Sequence, residues 1–214
     1  NGHGIRVIYQ DGQLVRATSR ARASKGRDLT RQMVNILGPE NEVLREVGGL
    51  VEIRGEIALP FSLLREARLF NPSIKSAFSG VSSLIKPSST REENLLLRFL
   101  AYRAIFEDGA RFDTKEAEYE FLEEDGFKVP LWSLIENPEG LEIGAEGVLE
   151  AFSETADEYD YFCDGVVVQV NDVDTFDDLG YEGNYPHGSV ALKLGKWEQS
   201  LYAGRILRID WRRG

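Results

Sequence analysis

The dipeptide Asp11-Gly12 stands between two runs of alternating residues, Ile5 to Gln10 and Gln13 to Thr18. A two-residue hairpin loop of type I′ needs positive φ at both positions, and Asp-Gly supplies it with the twist of the flanking strands. The chain therefore opens as an antiparallel ribbon, and whatever follows has to pack on it. Leu50 to Leu59 alternates too, with Val51, Ile53, Gly55 and Ile57 on one side and Glu52, Arg54 and Glu56 on the other. Pro60 ends that strand and suits the first turn of a helix running through Leu69. Leu96 to Phe106 is apolar and aromatic, the pattern of a strand buried on both faces.

Helix signals fall between these strands. Asp28 caps a short helix that places Leu29, Met33 and Ile36 on one face. Asp113-Thr-Lys-Glu116 has the spacing of a capping box, and Gly126 sits where a helix from there to Glu124 would end. Further helices are expected over 144–153 and from Val173 to Leu179, the latter closed by Gly180. Asp164 to Val170, Ser189 to Leu194 and Leu201 to Trp211 read as strands. Thr18 to Arg27, with Arg20, Arg22, Lys25 and Arg27, reads as a solvated basic loop, and serine-rich Asn71 to Lys86 has no clear period. Strands and helices mix irregularly, without repeat or linker, so the class is α+β and residues 1–214 form one domain.

Composition removes several chemistries. The chain has 25 basic and 36 acidic residues, a net charge of −11, which argues against wholesale nucleic-acid binding but leaves room for a local basic patch. One cysteine, Cys163, forbids an intrachain disulfide and suits a reducing compartment, so a cytoplasmic location is expected. No apolar run approaches the roughly 20 residues that span a bilayer. Two histidines and one cysteine do not make a usual structural zinc site. No phosphate loop of the lysine-containing type, dinucleotide fingerprint or recognisable nucleophile–histidine pair is present. Lys193, inside Val190-Ala-Leu-Lys-Leu194, stands out: a lysine among apolar residues has to reach water or an anion, and a phosphate is the natural anion.

Six segments in order then resemble one family, the adenylation domains of NAD-dependent DNA ligases. Val51-Glu-Ile-Arg-Gly-Glu-Ile57 is similar to that family's third motif and Asp164-Gly-Val-Val-Val-Gln-Val170 to its fourth. Leu179 to Leu194 follows the segment into the fifth motif without a gap. Arg91 to Ala104, with Ala101-Tyr102, resembles the strand before the fourth motif. Ser19-Arg20 with Gly26 to Thr30 resembles the arginine-glycine loop, and Leu207 to Trp211 the strand that leads into an oligonucleotide-binding domain. The resemblance implies an ATP-grasp-like nucleotidyltransferase fold of antiparallel sheets with flanking helices. It also implies NAD or AMP as nucleotide, magnesium as metal, and DNA as a partner through flanking domains. Carried over residue by residue, it puts Glu56 on the ribose and metal side, Tyr102 against adenine, Arg20 on the nucleotide, Asp164 as an acid and Lys193 on the α-phosphate.

The departures are as specific as the matches. Where the family's Lys-X-Asp-Gly belongs the chain reads Asn1-Gly2-His3-Gly4, with Asn1 at the nucleophile position and His3 at that of the acid. Gln169 replaces the fourth-motif lysine, Ser73 a cation after Asn71-Pro72, and Asn184, His187 and Gly188 a family arginine, arginine and tryptophan. An amide cannot attack phosphorus as an amine does, so the covalent step has no candidate in its usual place. Three readings follow. The start at Asn1 fits a ligase domain truncated or altered there. It also fits a degenerate relative that binds nucleotide, DNA or a protein partner, which the loss of several cations at once favours. In the third, His3 replaces the lysine as a phosphoramidate-forming nucleophile.

Overall fold

A computed structural model describes residues 2–20, 26–38, 44, 48–109, 112–135, 147–148, 152, 159–183 and 185–193. The opening hairpin forms as expected: β1 (His3–Gln10) and β2 (Gln13–Ser19) are joined by Asp11 and Gly12 at φ 50° and 77°. β3 (Leu50–Ala58) pairs with β1, and β4 (Arg98–Phe106) with β3, giving a four-stranded antiparallel sheet of order β2-β1-β3-β4.

One face of this sheet is the core. Ile5, Val7 and Tyr9 from β1 and Val51, Ile53 and Ile57 from β3 are buried there, as strand alternation requires. Gly55 shares that face, and a side chain is excluded there because a Cβ would lie 2.4 Å from the Leu100 carbonyl oxygen and 2.6 Å from the Phe99 ring. Helices cover it: α1 (Thr30–Leu37) through Met33, α2 (Leu64–Phe70) through Ala67, α3 (Ala77–Leu84) through Val81 and Leu84, and α5 (Lys115–Glu124) through Leu122. The short α4 (Arg91–Leu95) places buried Asn94 to donate to the Leu84 carbonyl and accept from Asn35.

Several sequence expectations shift. Asn71 to Lys86 holds α3, opened by a Ser76–Ser79 capping box that its serine-rich run concealed. The helix after Pro60 begins as a 3₁₀ turn, Phe61–Leu63, before α2. The apolar run expected as a strand from Leu96 begins its ladder at Arg98, after α4 and its Thr90–Glu93 capping box. That strand is also not buried on both faces, since Tyr102 and Arg103 are exposed. The cap of α5 is Thr114, whose hydroxyl accepts from the Ala117 N–H, not Asp113.

Residues of the second half meet the first through backbone and side-chain hydrogen bonds. Asn171 accepts from the Lys115 and Glu116 N–H groups at the start of α5, and the Val173 N–H donates to the Asp113 carbonyl. Asp160 accepts from Phe61 and from the N–H and hydroxyl of Ser62. Beyond this seam, β5 (Gly165–Gln169) pairs antiparallel with β8 (Ser189–Lys193), and β6 (Tyr181–Glu182) with β7 (Tyr185–Pro186). A short helix, Val173–Asp178, is capped by Asp172 and followed by Gly180 at φ 73°. The strand expected from Leu201 to Trp211 and most of the helix over 144–153 lie outside the described residues. No helix among the described residues is long and apolar enough to cross a membrane.

Candidate functional site

The face of the sheet turned away from the helices carries most of its polar side chains, and strand register decides which residues meet on it. Gly4 lies opposite Glu56 across β1 and β3. On its other side the Arg20 N–H donates to the Gly4 carbonyl at 2.9 Å, continuing the β1–β2 ladder by one residue. Arg20 and Glu56 thus flank a glycine with no side chain between them. A Cβ at Gly4 would sit 3.6 and 3.7 Å from the Arg20 Cβ and Cδ, and nothing lies closer among the described residues.

Tyr102 joins the same face through an irregularity in β4. Arg54 pairs with Arg103 and Gly55 with Ala101, leaving Tyr102 as the extra residue of a bulge, and it stands exposed beside Arg103. Burial and the Glu56 carboxylate raise the Tyr102 phenol pKa, while Arg20, Arg54 and Arg103 pull against the rise. The Lys115 ammonium donates to the Tyr102 carbonyl at 3.4 Å and pairs with Glu118, whose carboxylate accepts from the Ala104 N–H at 2.7 Å. The bulge that aims Tyr102 is therefore held from α5.

Asp164 and Lys193 meet at the end of the β5–β8 ladder, Lys193 being opposite Gly165. Their ion pair is 2.6 Å long, and the hydrogen bond from Lys193 holds the Asp164 carboxyl below its usual range. The Lys193 side chain is 64% exposed. The lysine that the sequence set among apolar neighbours thus reaches both a carboxylate and water, because only alternate residues of the strand face the apolar side. Gly165 is required beside it, since a Cβ there would lie 2.3 Å from the Leu192 carbonyl oxygen.

His3 goes elsewhere. It pairs with Ile57, a core residue, and so shares the helix-facing side rather than the face of Gly4 and Glu56. Its Nε2 lies 2.8 Å from the Ser82 hydroxyl of α3, and its ring packs at 5.8 Å against Phe78. Burial and the Arg27 guanidinium lower its pKa against the pull of Glu56. Arg27, expected in a solvated basic loop, donates to the Ile85 carbonyl after α3. Asn1 lies outside the described residues. Sequence reading missed Gly4 as a floor, although its place two residues before Arg6 in an alternating run was the available signal.

Helices behind one face of an antiparallel sheet, with an acid, an arginine and an exposed ring on the other, define a mixed α/β domain. The family model for the NAD-dependent DNA ligase adenylation domain matches residues 1–196, and the chain belongs to that family. Among curated relatives, DNA ligase of Finegoldia magna is 28% identical over the whole of this chain and 31% of its own length. DNA ligase of Mycoplasmopsis pulmonis is 26% identical over 92% of this chain and 29% of its own. That of Synechococcus sp. is 30% identical over the whole chain and 31% of its own. The chain thus spans about a third of the length of the curated relatives it matches.

Proposed function

We propose that this chain binds an adenine nucleotide, NAD or AMP, in the slot above Gly4 as a ligase adenylation domain of ATP-grasp-like architecture, without forming a lysyl adenylate at position 1. The observation that carries this reading is the glycine floor between Arg20 and Glu56 with Tyr102 exposed on the same face. In this reading Tyr102 offers its ring to adenine, Glu56 takes the ribose hydroxyls and Arg20 contacts the nucleotide. Lys193 exchanges Asp164 for the α-phosphate, a replacement of one anion by another that leaves the ammonium paired throughout.

Magnesium fits as an ion held by Glu56 alone from the protein. Such an ion keeps several waters and takes phosphate oxygens, so it needs no cage of side chains. When bound it would neutralise charge on the phosphates. The strand expected at 201–214 leads toward an oligonucleotide-binding domain, and DNA joining belongs to the longer protein of which such a domain is a part. With Asn1 and Gln169 in place of lysines, binding is retained and the covalent step is not.

Calorimetry with AMP and with NAD tests the site. Gly4→Val suits a strand by its β-branched side chain but fills the floor, and Lys193→Ala removes the phosphate's cation. Each is expected to weaken binding about tenfold or more, the scale of losing one charge-assisted contact. Unchanged affinity in both variants would refute the slot. With NAD and magnesium present, intact-mass spectrometry is expected to show no stable AMP adduct.

A further inference from the structure

Helix α3 turns two faces to its surroundings. Ala77, Gly80, Val81 and Leu84 are buried, and at Gly80 a Cβ would lie 2.4 Å from the Leu59 Cδ2 atom, so this glycine lets α3 sit close to the end of β3. Ser79, Ser82, Ser83 and Lys86 recur at helical spacing on another face. They line a cavity of about 260 Å³ whose far wall is the turn around Asn71 and Ile74. The three hydroxyls differ in what holds them. Ser79 is spent on the capping box: its oxygen accepts from the Lys75 and Ser76 N–H groups and donates to the Ser76 carbonyl. Ser83 accepts from the Asn71 amide at 2.6 Å. Ser82 is exposed, and its hydroxyl lies 2.8 Å from Nε2 of His3. A serine inside a helix commonly turns its hydroxyl back to the carbonyl one turn earlier; this one reaches across to β1. The imidazole is held in place for it, by pairing opposite Ile57 and by Phe78, which packs on the ring at 5.8 Å. Lys86 is fixed through its backbone, its N–H donating to the Ser89 hydroxyl and its carbonyl accepting from the Gln32 amide, with its side chain exposed at the cavity. The sequence gives no signature of this pairing, because 79 residues separate His3 from Ser82.

We propose that Ser82, with His3 as its base, is a nucleophile for small polar carboxylic esters bound in this cavity. With the imidazole proton on Nδ1, Nε2 accepts the Ser82 hydroxyl proton while Oγ bonds to the ester carbonyl carbon. The carbonyl oxygen takes up the negative charge, and the Lys86 ammonium is the cation at hand to stabilise it. As the carbonyl re-forms, the C–O bond to the alcohol breaks and Nε2 returns its proton to the leaving oxygen. A water molecule then repeats the sequence on the acyl-serine, releasing the acid and restoring the hydroxyl. The sum is ester plus water to acid plus alcohol. A lining of hydroxyls, an amide and an ammonium, with Ile74 as its apolar member, selects a short polar acyl group over a long alkyl chain. The site is separate from the nucleotide slot, because His3 and Ile57 take the helix side of the sheet and Gly4 and Glu56 the other.

Labelling of the full chain with a fluorophosphonate, followed by intact-mass and peptide mass spectrometry, tests the nucleophile. A single adduct is expected, on Ser82. His3→Gln keeps a hydrogen-bonding side chain that cannot take the proton, and should slow labelling about 100-fold or more. Lys86→Ala should slow it about tenfold or more. Hydrolysis of p-nitrophenyl acetate should fall in the same variants and be lost in Ser82→Ala. No adduct, an adduct on another residue, a labelling rate unchanged by His3→Gln or Lys86→Ala, or hydrolysis undiminished in Ser82→Ala would overturn the proposal. Excess AMP should leave the labelling rate unchanged; protection by AMP would put the reactive serine in the slot and overturn the separate site. Ser82→Cys keeps a nucleophile in place whatever the stability of Ser82→Ala. Its alkylation by iodoacetamide at neutral pH should fall about tenfold or more when His3→Gln is added. An undiminished rate there would show that His3 does not activate position 82.

Discussion

His3 illustrates how much a single pairing partner decides. Because it lies opposite Ile57, its ring is turned to the helices and fixed between Ser82 and Phe78, with its pKa lowered chiefly by burial. The native state therefore favours the neutral imidazole more than the unfolded chain does. The unfolded chain takes up its proton first as pH falls through the ordinary imidazole value of 6.5. Stability linked to His3 is complete above that value and is lost as pH falls from it through the lower folded value. Urea midpoints at pH 7.5 and 5.5 should show this drop. His3→Gln, which has no titrating group, should shrink it; an undiminished drop would show that the imidazole is not its source.

At the scale of elements, helix starts are set by side chains one residue from where pattern alone puts them. Asp113 and Glu116 have capping-box spacing, yet the Thr114 hydroxyl receives the Ala117 N–H, and the Asp113 carbonyl is engaged by Val173. The seam with residues 171–173 explains the choice. With Asn171 taking the Lys115 and Glu116 N–H groups, the backbone turns into α5 after Thr114 rather than before it. Thr114→Ala is accordingly expected to cost about 1 kcal/mol in denaturant unfolding, and Asp113→Ala a few tenths. The reverse order would restore Asp113 as the cap.

For the whole molecule, the Lys115–Glu118 pair joins α5 to the edge strand of the sheet. Glu118 is 5% exposed and its carboxylate serves both Lys115 and the Ala104 N–H. Removing one partner of a buried pair leaves the other charged and unpaired, so Glu118→Ala should lower unfolding free energy by about 3 kcal/mol or more. Replacing both, as Lys115→Met with Glu118→Leu, should recover part of that loss in the same measurement, since exchanging the pair for apolar groups is often near neutral while the Ala104 N–H still loses its acceptor. Because the pair also holds the bulge at Tyr102, the double variant is a stable protein in which that ring is less firmly placed.

Local chemistry made the opening hairpin, the amphipathic β3 and the break after Pro60 legible in the chain itself, because turn residues and a period of two act between near neighbours. The six ordered segments likewise announced the family. Placement across strands was not legible. Gly4 becomes a floor only when β2 and β3 put Arg20 and Glu56 on either side of it, and Tyr102 turns outward only through a one-residue register shift against β3. Lys193 finds Asp164, 29 residues earlier, and Arg6, Arg54 and Arg103 form a row though nearly a hundred residues separate its ends. Alternation in the sequence specifies which side chains of a strand share a face; pairing between strands distant in sequence specifies where a bulge breaks that alternation and what each side chain meets, and register is a property of the assembled sheet.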